Sequence, residues 1–493
     1  MEFWSELINE LQIIFLFIWN HIFVVNCLLA VIIIFFQRKD ANSVWAWLLI
    51  LYFIPIVGFV FYLLIGTDMH KQKMFRTKEI EDRLNGVIQK QEFGIRNQSL
   101  PEKNPLTAEY ADLILFNLEA SGAILSGDND VTIYTDGRDK FDALIEDIRQ
   151  AKEFIHLQYY IIRNDEVFSA IREVLLQKVA EGVEIRILYD GMGCRSVRKS
   201  YWRDLRDRGI LTTEFFPARL RRLHLRINYR NHRKIVVIDG RIGYVGGFNV
   251  GREYLGLNKR FGYWRDTHLR LEGTAVQALQ ERFILDWNFA TREKILQLDK
   301  YLPEIPLHPG NHCDIQIVTS GPDSRMQNVR NNYLRMITKA KKSIYIQTPY
   351  FIPDESMLSA LMIALYSGIE VYLMIPCKPD HPFVYWATYS YVGDLVMAGA
   401  RCYTYEAGFL HAKGIIVDEK VLCYGTANMD IRSFQLNFEV NAIIFDMEKA
   451  KEMTAIFKKD LEKCKLITKN VYLSRNLWIR IREQVSRMLS PLL

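Results

Sequence analysis

The stretch HRKIVVIDGRIGYVGGFN, residues 232–249, is matched farther along the chain by HAKGIIVDEKVLCYGTAN, residues 411–428. In both stretches a His is followed by a Lys two residues later, and by an Asp five residues after that Lys. A Gly follows seven residues after the Asp, and an Asn three residues after the Gly. A single His-x-Lys pair would be an accident of a surface strand, but two copies in one register indicate a duplicated unit.

The repeat extends on the N-terminal side of both motifs. Five positions recur at a constant offset: Ala151-Lys152, Ile155, Gln158 and Asp165 match Ala340-Lys341, Ile344, Gln347 and Asp354. In each copy a strand-like segment (154–160 or 344–349) precedes a helix-like segment (166–181 or 355–367) and a second strand-like segment (183–189 or 369–375). This alternation predicts an α/β fold in which each half has a mainly covered sheet.

The first 66 residues contain two long apolar runs, at 11–36 and 44–65. Each run meets the length of about 20 residues that a helix needs to cross a bilayer. The chain starts with the acidic residues Glu2 and Glu6, which is unlike the basic start of a cleaved signal peptide. The runs predict an N-terminal two-helix transmembrane hairpin, and a buried hairpin of a soluble protein is the alternative.

Charge and cysteine content bear on the location of the rest of the chain. Two basic residues lie between the apolar runs, and four follow the second run: Arg38 and Lys39, then Lys71, Lys73, Arg76 and Lys78. The larger count predicts a cell-membrane protein with two spans whose main domain is cytoplasmic. Seven cysteines without a Cys-x-x-Cys pair also favour a reducing compartment. The net charge of +6 is too small to indicate nucleic acid, and it fits a protein beside anionic lipid equally well.

Length and composition predict several folded parts. A chain of 493 residues exceeds one ordinary core, and 49% hydrophobic residues exclude a disordered chain. We expect the hairpin at 1–66, a polar linker at 67–107, a first half at 108–300 and a second half at 301–493. The second half is expected to end in an amphipathic helix.

The residue types shared by the two motifs suit a phosphodiester. Residues two apart on a strand point to one face, so His232 and Lys234 share a space, as do His411 and Lys413. The lysines would hold anionic oxygens. One imidazole can attack phosphorus while the other donates and then removes a proton, a scheme that requires no metal or other cofactor.

Further motif residues are candidates for substrate binding. The asparagines would supply amide donors to the phosphate, and the small residues would let the backbone approach a ligand. These candidates are Asn249, Asn428, Gly246, Gly247, Gly425 and Thr426.

The two motifs resemble the paired HKD motifs of the phospholipase D superfamily. More closely, the chain is similar nearly end to end to bacterial cardiolipin synthases. Four further stretches carry this resemblance: SVWAW at 43–47, YLLIG at 62–66, YWRD at 263–266 and NFE at 437–439. The resemblance implies two pseudo-symmetric phospholipase D-like halves, with mixed sheets flanked by helices, after the transmembrane hairpin.

The resemblance also implies an activity: two phosphatidylglycerol molecules are joined into cardiolipin and glycerol is released, through a phosphohistidine. The family's catalytic triads map onto His232, Lys234 and Asp239, and onto His411, Lys413 and Asp418, with His232 as the nucleophile. The expected partners are phosphatidylglycerol and membrane phospholipids, without nucleic acid, and the oligomeric state is open. The alternatives are a phospholipase D-type hydrolase with water as acceptor, a nuclease of the superfamily, or an inactive membrane scaffold.

Two carboxylates downstream of the motifs, Asp266 and Glu439, occupy comparable positions. A catalytic imidazole needs an acceptor on its other nitrogen to hold its tautomer. In the superfamily each half lends such a carboxylate to the other, which implies Glu439 against His232 and Asp266 against His411. A surface salt bridge is the alternative.

Two other segments predict membrane contact. Arginines at 219, 221, 222, 226 and 230 alternate with apolar residues, as in a lip for anionic headgroups or, equally, a solvated basic surface. Near the C-terminus a helical stripe lies beside Trp478, formed by Leu477, Ile481, Val485, Met488 and Leu492. This stripe predicts an interfacial amphipathic helix, with packing against the core as the alternative.

Overall fold

The computed structural model describes residues 2–35, 41–62, 78–97, 104–216, 229–291, 294–305, 312–324, 326–378 and 380–490. The arginine-rich lip lies outside these ranges except for Arg230. Leu492 also lies outside them, as do five of the six basic residues that predicted the orientation, all but Lys78.

The N-terminal apolar runs form three helices: α1 (Glu2–Phe35), α2 (Ala41–Phe53) and α3 (Pro55–Phe61). The second run, predicted as one helix, is interrupted at Ile54 because Pro55 has no N–H for the carbonyl four residues earlier. Asn26 of α1 compensates, since its Nδ2 donates to the carbonyl oxygen of Leu51 at 3.1 Å. Among the described residues, no helix combines the length and apolar character needed to cross a membrane.

The segment predicted as a polar linker contains a helix, α4 (Lys78–Arg96). The side chain of Gln91 accepts a hydrogen bond from the N–H of Leu125 at 2.8 Å and donates to its carbonyl at 2.9 Å. This helix is thereby attached to the first strand of the sheet. Two short helices follow it, α5 (Pro105–Glu109) and α6 (Ala111–Ser121).

The first half alternates strands and helices along the chain. Its elements are β1 (Leu125–Tyr134), α7 (Gly137–Gln150), β2 (Phe154–Tyr159), α8 (Glu166–Ala180), β3 (Glu184–Asp190), α9 (Lys199–Asp207), β4 (Leu211–Phe215), β5 (Arg230–Asn231), β6 (Ile235–Ile238), β7 (Ile242–Gly246), a 3-10 helix (Arg252–Leu255), β8 (Tyr263–Arg265), β9 (His268–Glu272) and α10 (Ala275–Ala290).

The second half repeats this pattern and adds helices at its end. Its elements are β10 (Cys313–Ser320), α11 (Asn328–Lys339), β11 (Ser343–Gln347), β12 (Phe351–Ile352), α12 (Glu355–Tyr366), β13 (Glu370–Pro376), α13 (Pro382–Ala398), β14 (Arg401–Tyr405), β15 (Gly408–Leu410), β16 (Gly414–Val417), β17 (Val421–Gly425), β18 (Met429–Asp430), α14 (Ile431–Gln435), β19 (Asn437–Phe445), α15 (Met447–Leu461), β20 (Cys464–Leu466), α16 (Lys469–Leu473) and α17 (Leu477–Met488).

The two halves have equivalent strand orders. The order is β1-β9-β7-β6-β2-β3-β4 in the first half and β10-β19-β17-β16-β11-β13-β14 in the second, with β20 at the edge beside β14. Strands β2, β3 and β4 are parallel, as are β11, β13 and β14, and their other neighbours are antiparallel. The antiparallel pair β1–β10 joins the halves into one continuous sheet. The predicted α/β fold with two mixed-sheet halves is confirmed.

One hydrophobic core is shared by the two halves. Phe283 of α10 and Phe457 of α15 lie in a buried cluster with strands from both. A second cluster places α6, which the sequence assigned to the first half, on β10 and α11 of the second half, because its buried side chains Leu113, Ile114 and Leu118 pack there. A helix of the first half in sequence therefore packs within the second half.

Two short parallel pairings bring the motifs to the junction of the halves. Strand β5, just before His232, pairs with β19, and β15, just before His411, pairs with β8. The backbone N–H of His232 donates to Phe438 at 3.0 Å, and that of His411 donates to Arg265 at 2.7 Å. The backbone of each motif histidine is thus hydrogen-bonded to the opposite half. The accepting residue comes one position before the candidate carboxylate in the sequence.

Candidate active site

Each motif imidazole contacts a carboxylate of the other half. Nδ1 of His232 lies 3.0 Å from Oε2 of Glu439, and Nδ1 of His411 lies 2.5 Å from Oδ2 of Asp266. Both carboxylates are fully buried, so neither takes part in a surface salt bridge. With its proton on Nδ1, each ring keeps a lone pair on Nε2, which suits a nucleophile or a base.

The carboxylates are held by different neighbours in the two halves. The Thr426 hydroxyl donates to Oε2 of Glu439 at 2.5 Å. Gly247 holds the equivalent place in the first half, and a Cβ there would lie 1.9 Å from Oδ1 of Asp266. The sequence assigned both residues to substrate binding, but the structure uses one to hold a carboxylate and the other to leave room for one.

Gly246 and Gly425, one residue before these positions, allow close packing between strands of the sheet. A Cβ on Gly246 would lie 2.5 Å from Cα of His268, and one on Gly425 would lie 2.3 Å from the carbonyl oxygen of Val440. These contacts are with the neighbouring strand, so the close approach is between strands. The role of these glycines in admitting a ligand stays a prediction.

Two fully buried lysines lie beside the imidazoles. Nζ of Lys234 donates to the carbonyl oxygen of His232 at 2.6 Å, and Nζ of Lys413 lies 3.1 Å from Nε2 of His411. Burial lowers the pKa of Lys234 to about 7 and that of Lys413 to about 8. Each ammonium also depresses the pKa of the histidine in the opposite half, which places all four groups in one electrostatic site.

Burial also controls the charge of the imidazoles. It lowers the pKa of His232, and together with Lys413 it lowers the pKa of His411 to about 4. For Asp266 and Glu439 burial acts in the opposite direction, but the neighbouring lysine and histidine outweigh it and lower each carboxyl pKa. The resting site at neutral pH therefore pairs neutral imidazoles with ionised carboxylates.

The motif asparagines are engaged within the protein. The side chain of Asn249 accepts from the N–H of Ile161 and donates to the Tyr254 hydroxyl, both at 3.0 Å. Nδ2 of Asn428 donates to Asp430 at 3.1 Å. Each amide has a second N–H, so the predicted role of both asparagines as donors to substrate stays a prediction.

The motif aspartates lie at the far end of their strands. Asp239 is separated from Lys234 by β6, roughly 16 Å at the rise of an extended chain. Its carboxylate accepts the backbone N–H groups of residues 152, 153 and 154 at 2.8–2.9 Å. Asp418 accepts those of residues 341, 342 and 343 in the same way. We therefore propose for both aspartates a structural role, fastening the turn after β6 or β16 to the neighbouring strand, in place of the catalytic role that the family resemblance implies.

Replacing Asp239 by Asn is therefore expected to reduce stability without stopping the chemistry. Asn tolerates the positive φ of 51° at this position but loses a charged acceptor for backbone N–H groups. We expect a loss of about 1–2 kcal/mol in unfolding free energy, seen as a lower midpoint of thermal unfolding, with kcat nearly unchanged. Asp418→Asn should have the same effect through the second half. A collapse of kcat in a folded Asp239→Asn protein would contradict the structural role.

Two buried arginine–aspartate pairs support the carboxylates, and neither pair was predicted from the sequence. The Arg233 guanidinium binds Asp286 at 2.7 Å and donates to the backbone carbonyl of Glu439 at 3.1 Å. In the second half Arg265 binds Asp460 at 2.8 Å and donates to the carbonyl of Asp266. The repeat does not predict these pairs, because the two arginines occupy unrelated positions: one lies inside the first motif and the other lies just before Asp266.

A glutamine completes each pair, and this residue did carry a sequence signal. Gln158 donates to Asp286 at 2.6 Å, and Gln347 donates to Asp460 at 3.2 Å. These glutamines are among the positions that recur at a constant offset. The recurrence does not extend to the aspartates, because Asp286 and Asp460 are 174 residues apart and the two glutamines are 189 apart.

Comparison with known proteins agrees with this architecture. A family model described as "Cardiolipin synthase, PLD-like domain" matches residues 144–287 and 333–461, and a "Phospholipase_D-nuclease N-terminal" model matches residues 24–66. The major cardiolipin synthase ClsA of Bacillus subtilis is 52% identical over 96% of this chain and 98% of its own. A cardiolipin synthase of Staphylococcus aureus is 48% identical over the full length of both chains.

A solved structure has the same fold. The phosphatidylserine synthase of Haemophilus influenzae superposes with a TM-score of 0.58 at 14% identity, over 79% of this chain and all of that one. The duplicated sheet, the motif pair and the full-length similarity lead to one assignment. The chain belongs to the cardiolipin synthase family of phospholipase D-like proteins.

Proposed function

We propose that this chain is a cardiolipin synthase that transfers a phosphatidyl group from one phosphatidylglycerol to another and releases glycerol. The observation that carries the proposal is the pair of buried imidazoles, each holding its Nδ1 against a carboxylate of the opposite half. Relatives named cardiolipin synthase at about half identity over the full length support the same conclusion.

The first step uses the lone pair on Nε2 of His232. This nitrogen attacks the phosphorus of phosphatidylglycerol, and the bond from phosphorus to the headgroup glycerol breaks. His411 gives the departing alkoxide a proton, so glycerol leaves and a phosphatidyl–histidine remains. Lys234 and Lys413 offset the charge on the phosphate oxygens. We assign the nucleophile to His232 by its resemblance to the first-half histidine of the family.

The second step reverses the proton transfer. His411 removes the proton from a glycerol hydroxyl of a second phosphatidylglycerol, and that oxygen attacks the phosphorus of the phosphatidyl–histidine. The phosphorus–nitrogen bond breaks, and cardiolipin is released with His232 neutral again. One phosphodiester is broken and one is made, so the reaction needs no nucleotide.

Substrate binding also makes the proton available. In the resting site burial and Lys413 keep His411 neutral. An anionic phosphate beside the ring stabilises the imidazolium and raises its pKa. Glu439 and Asp266 then stabilise the positive charge that develops on each ring, as the acceptor does in other imidazole-based sites.

We further assign residues 1–66 to a two-span membrane hairpin, with the catalytic halves on the cytoplasmic side. The support is the length of the apolar runs and the distribution of basic residues around them. The N-terminal family match at residues 24–66 covers most of the same segment. A hairpin of this kind would keep the active site next to its lipid substrates.

The test is a product analysis with the full-length protein in vesicles that contain labelled phosphatidylglycerol. We expect equal amounts of cardiolipin and glycerol. Phosphatidic acid with glycerol would instead identify a hydrolase that uses water as acceptor. Neither product from a folded protein would leave a nuclease or an inactive scaffold and would reject the proposal.

The lysine pKa values predict an alkaline limit to activity. Above about pH 7 to 8 Lys234 and then Lys413 lose their protons, and the site loses the positive charge that holds the phosphate. We expect kcat/KM to fall across this range in a pH profile. Lys234→Arg, whose guanidinium stays charged, should move the fall to higher pH if it retains activity. A profile that stays flat to pH 9.5 would contradict this assignment.

A further inference from the structure

Helix α17 has its polar face turned inward. Glu483 and Ser486 are buried, at 1% and 2% exposure. Glu483 forms an ion pair with Arg475 at 2.9 Å, and Arg487 forms one with Asp394 of α13 at 2.7 Å. The sequence left packing against the core open as an alternative. The helix does pack against the rest of the protein, and it does so through its polar side.

The apolar side of α17 faces outward. Five side chains on this side keep between 42% and 72% of their surface exposed: Leu477, Trp478, Ile481, Val485 and Met488. Val471 and Leu473 of the preceding helix α16 add to the same segment, at 50% and 53% exposure. A contiguous apolar surface of this kind marks an interaction site.

The exposed charges of this segment are all positive. Lys469, Arg480 and Arg482 are exposed. The one acidic residue of α16 and α17 is Glu483, which is buried and paired. The surface thus combines outward apolar side chains, a Trp and flanking cations, which is the composition of helices that lie in a membrane interface.

The apolar N-terminal helices lie next to this surface. A cavity of about 660 Å³ is lined on one side by Trp45 and Leu49 of α2 and on the other by Gln484 and Met488 of α17. Trp45 is itself 65% exposed. The outward face of α17 is therefore on the same side of the molecule as the segment that matches the N-terminal family model.

We propose that the outer face of α16 and α17 is a lipid-docking surface that lies in the interface of an anionic bilayer. A second copy fits less well, because a two-fold contact would bring together two surfaces whose exposed charges are all positive. Anionic headgroups neutralise these cations while the acyl region accepts Trp478 and Ile481. This surface attaches the second half to the membrane independently of the N-terminal helices.

Photocrosslinking in the full-length protein tests this proposal. A photoreactive phenylalanine analogue, benzoylphenylalanine, replaces Trp478 in one variant and Ile481 in another, and both positions are exposed enough to accept it. The control carries the analogue at Tyr366, which is 76% exposed. It lies at the end of α12 away from the cavity, roughly 16 Å from the cavity-lining Glu355 by helical rise. The proteins are irradiated in vesicles of phosphatidylcholine with and without phosphatidylglycerol.

We expect lipid adducts at positions 478 and 481, several-fold more than at 366, with a higher yield when phosphatidylglycerol is present. Crosslinks between two copies of the chain would instead identify a dimer interface and overturn the proposal. Adduct yields no higher than at position 366 would show a surface in water, which overturns it as well. The readout does not depend on turnover, so it is separate from the test of the enzymatic activity.

Discussion

Replacing His232 by Ala is expected to lower cardiolipin formation by at least roughly 10⁴-fold, because both the nucleophile and the covalent intermediate are lost. The loss should appear in kcat, measured with the full-length protein in phosphatidylglycerol vesicles. The fold should survive, since the backbone N–H of residue 232 still donates to Phe438. Labelled lipid should mark a phosphohistidine in the native protein and none in this variant.

His411→Ala tests the second role in the same assay. It should cost roughly 10²- to 10⁴-fold, the range of general acid–base catalysis, while leaving a trace of labelled His232. The matched control is His312→Ala, which changes an exposed histidine outside the site. Label retained in His232→Ala but lost in His411→Ala would reverse the two assignments.

Replacing Glu439 by Gln is expected to lower kcat by roughly 10²- to 10³-fold, with a smaller change in KM. The Gln amide can donate to Nδ1 of His232, which would move the imidazole proton to Nε2 and remove the attacking lone pair. The variant also loses the negative charge that stabilises the imidazolium. Kinetics over several phosphatidylglycerol concentrations separate the two parameters.

Asp266→Asn should have the corresponding effect on His411. The control is Glu419→Gln, the same chemical change at a partly exposed glutamate of the second half that pairs with Lys458. Melting temperatures of the three variants exclude unfolding as the cause of lost activity. Full activity in Glu439→Gln would show that the tautomer of His232 is set by another group.

Much of this protein was predictable from local patterns. The identical spacing of His232 and His411 motifs within a wider repeat predicted two similar α/β halves, since strands and helices follow from residue periodicity. The same pattern placed His and Lys together, because residues two apart share one face of a strand. Resemblance to a family then supplied the activity and the candidate carboxylates.

Other features depended on contacts that no local pattern encodes. That Asp239 lies at the far end of β6 follows from strand length, but its three backbone partners come from the start of β2 and the turn before it, about 85 residues away. Gly247 leaves room for Asp266, which lies between β8 and β9. The apolar side of α17 faces outward because ion pairs with Arg475 and Asp394 hold its polar side against the protein. The amphipathic stripe in the sequence did not reveal these ion pairs.

The chain by itself determined the repeat, the fold class and the residue types of the site, because these follow from spacing along the polymer. Only the tertiary structure decided which of those residues meet. Pairing of β5 with β19 and of β15 with β8 brings each imidazole to the carboxylate of the other half, more than 140 residues away in sequence. Such contacts arise from the packing of whole strands in one sheet, so they belong to the fold and not to any segment of it.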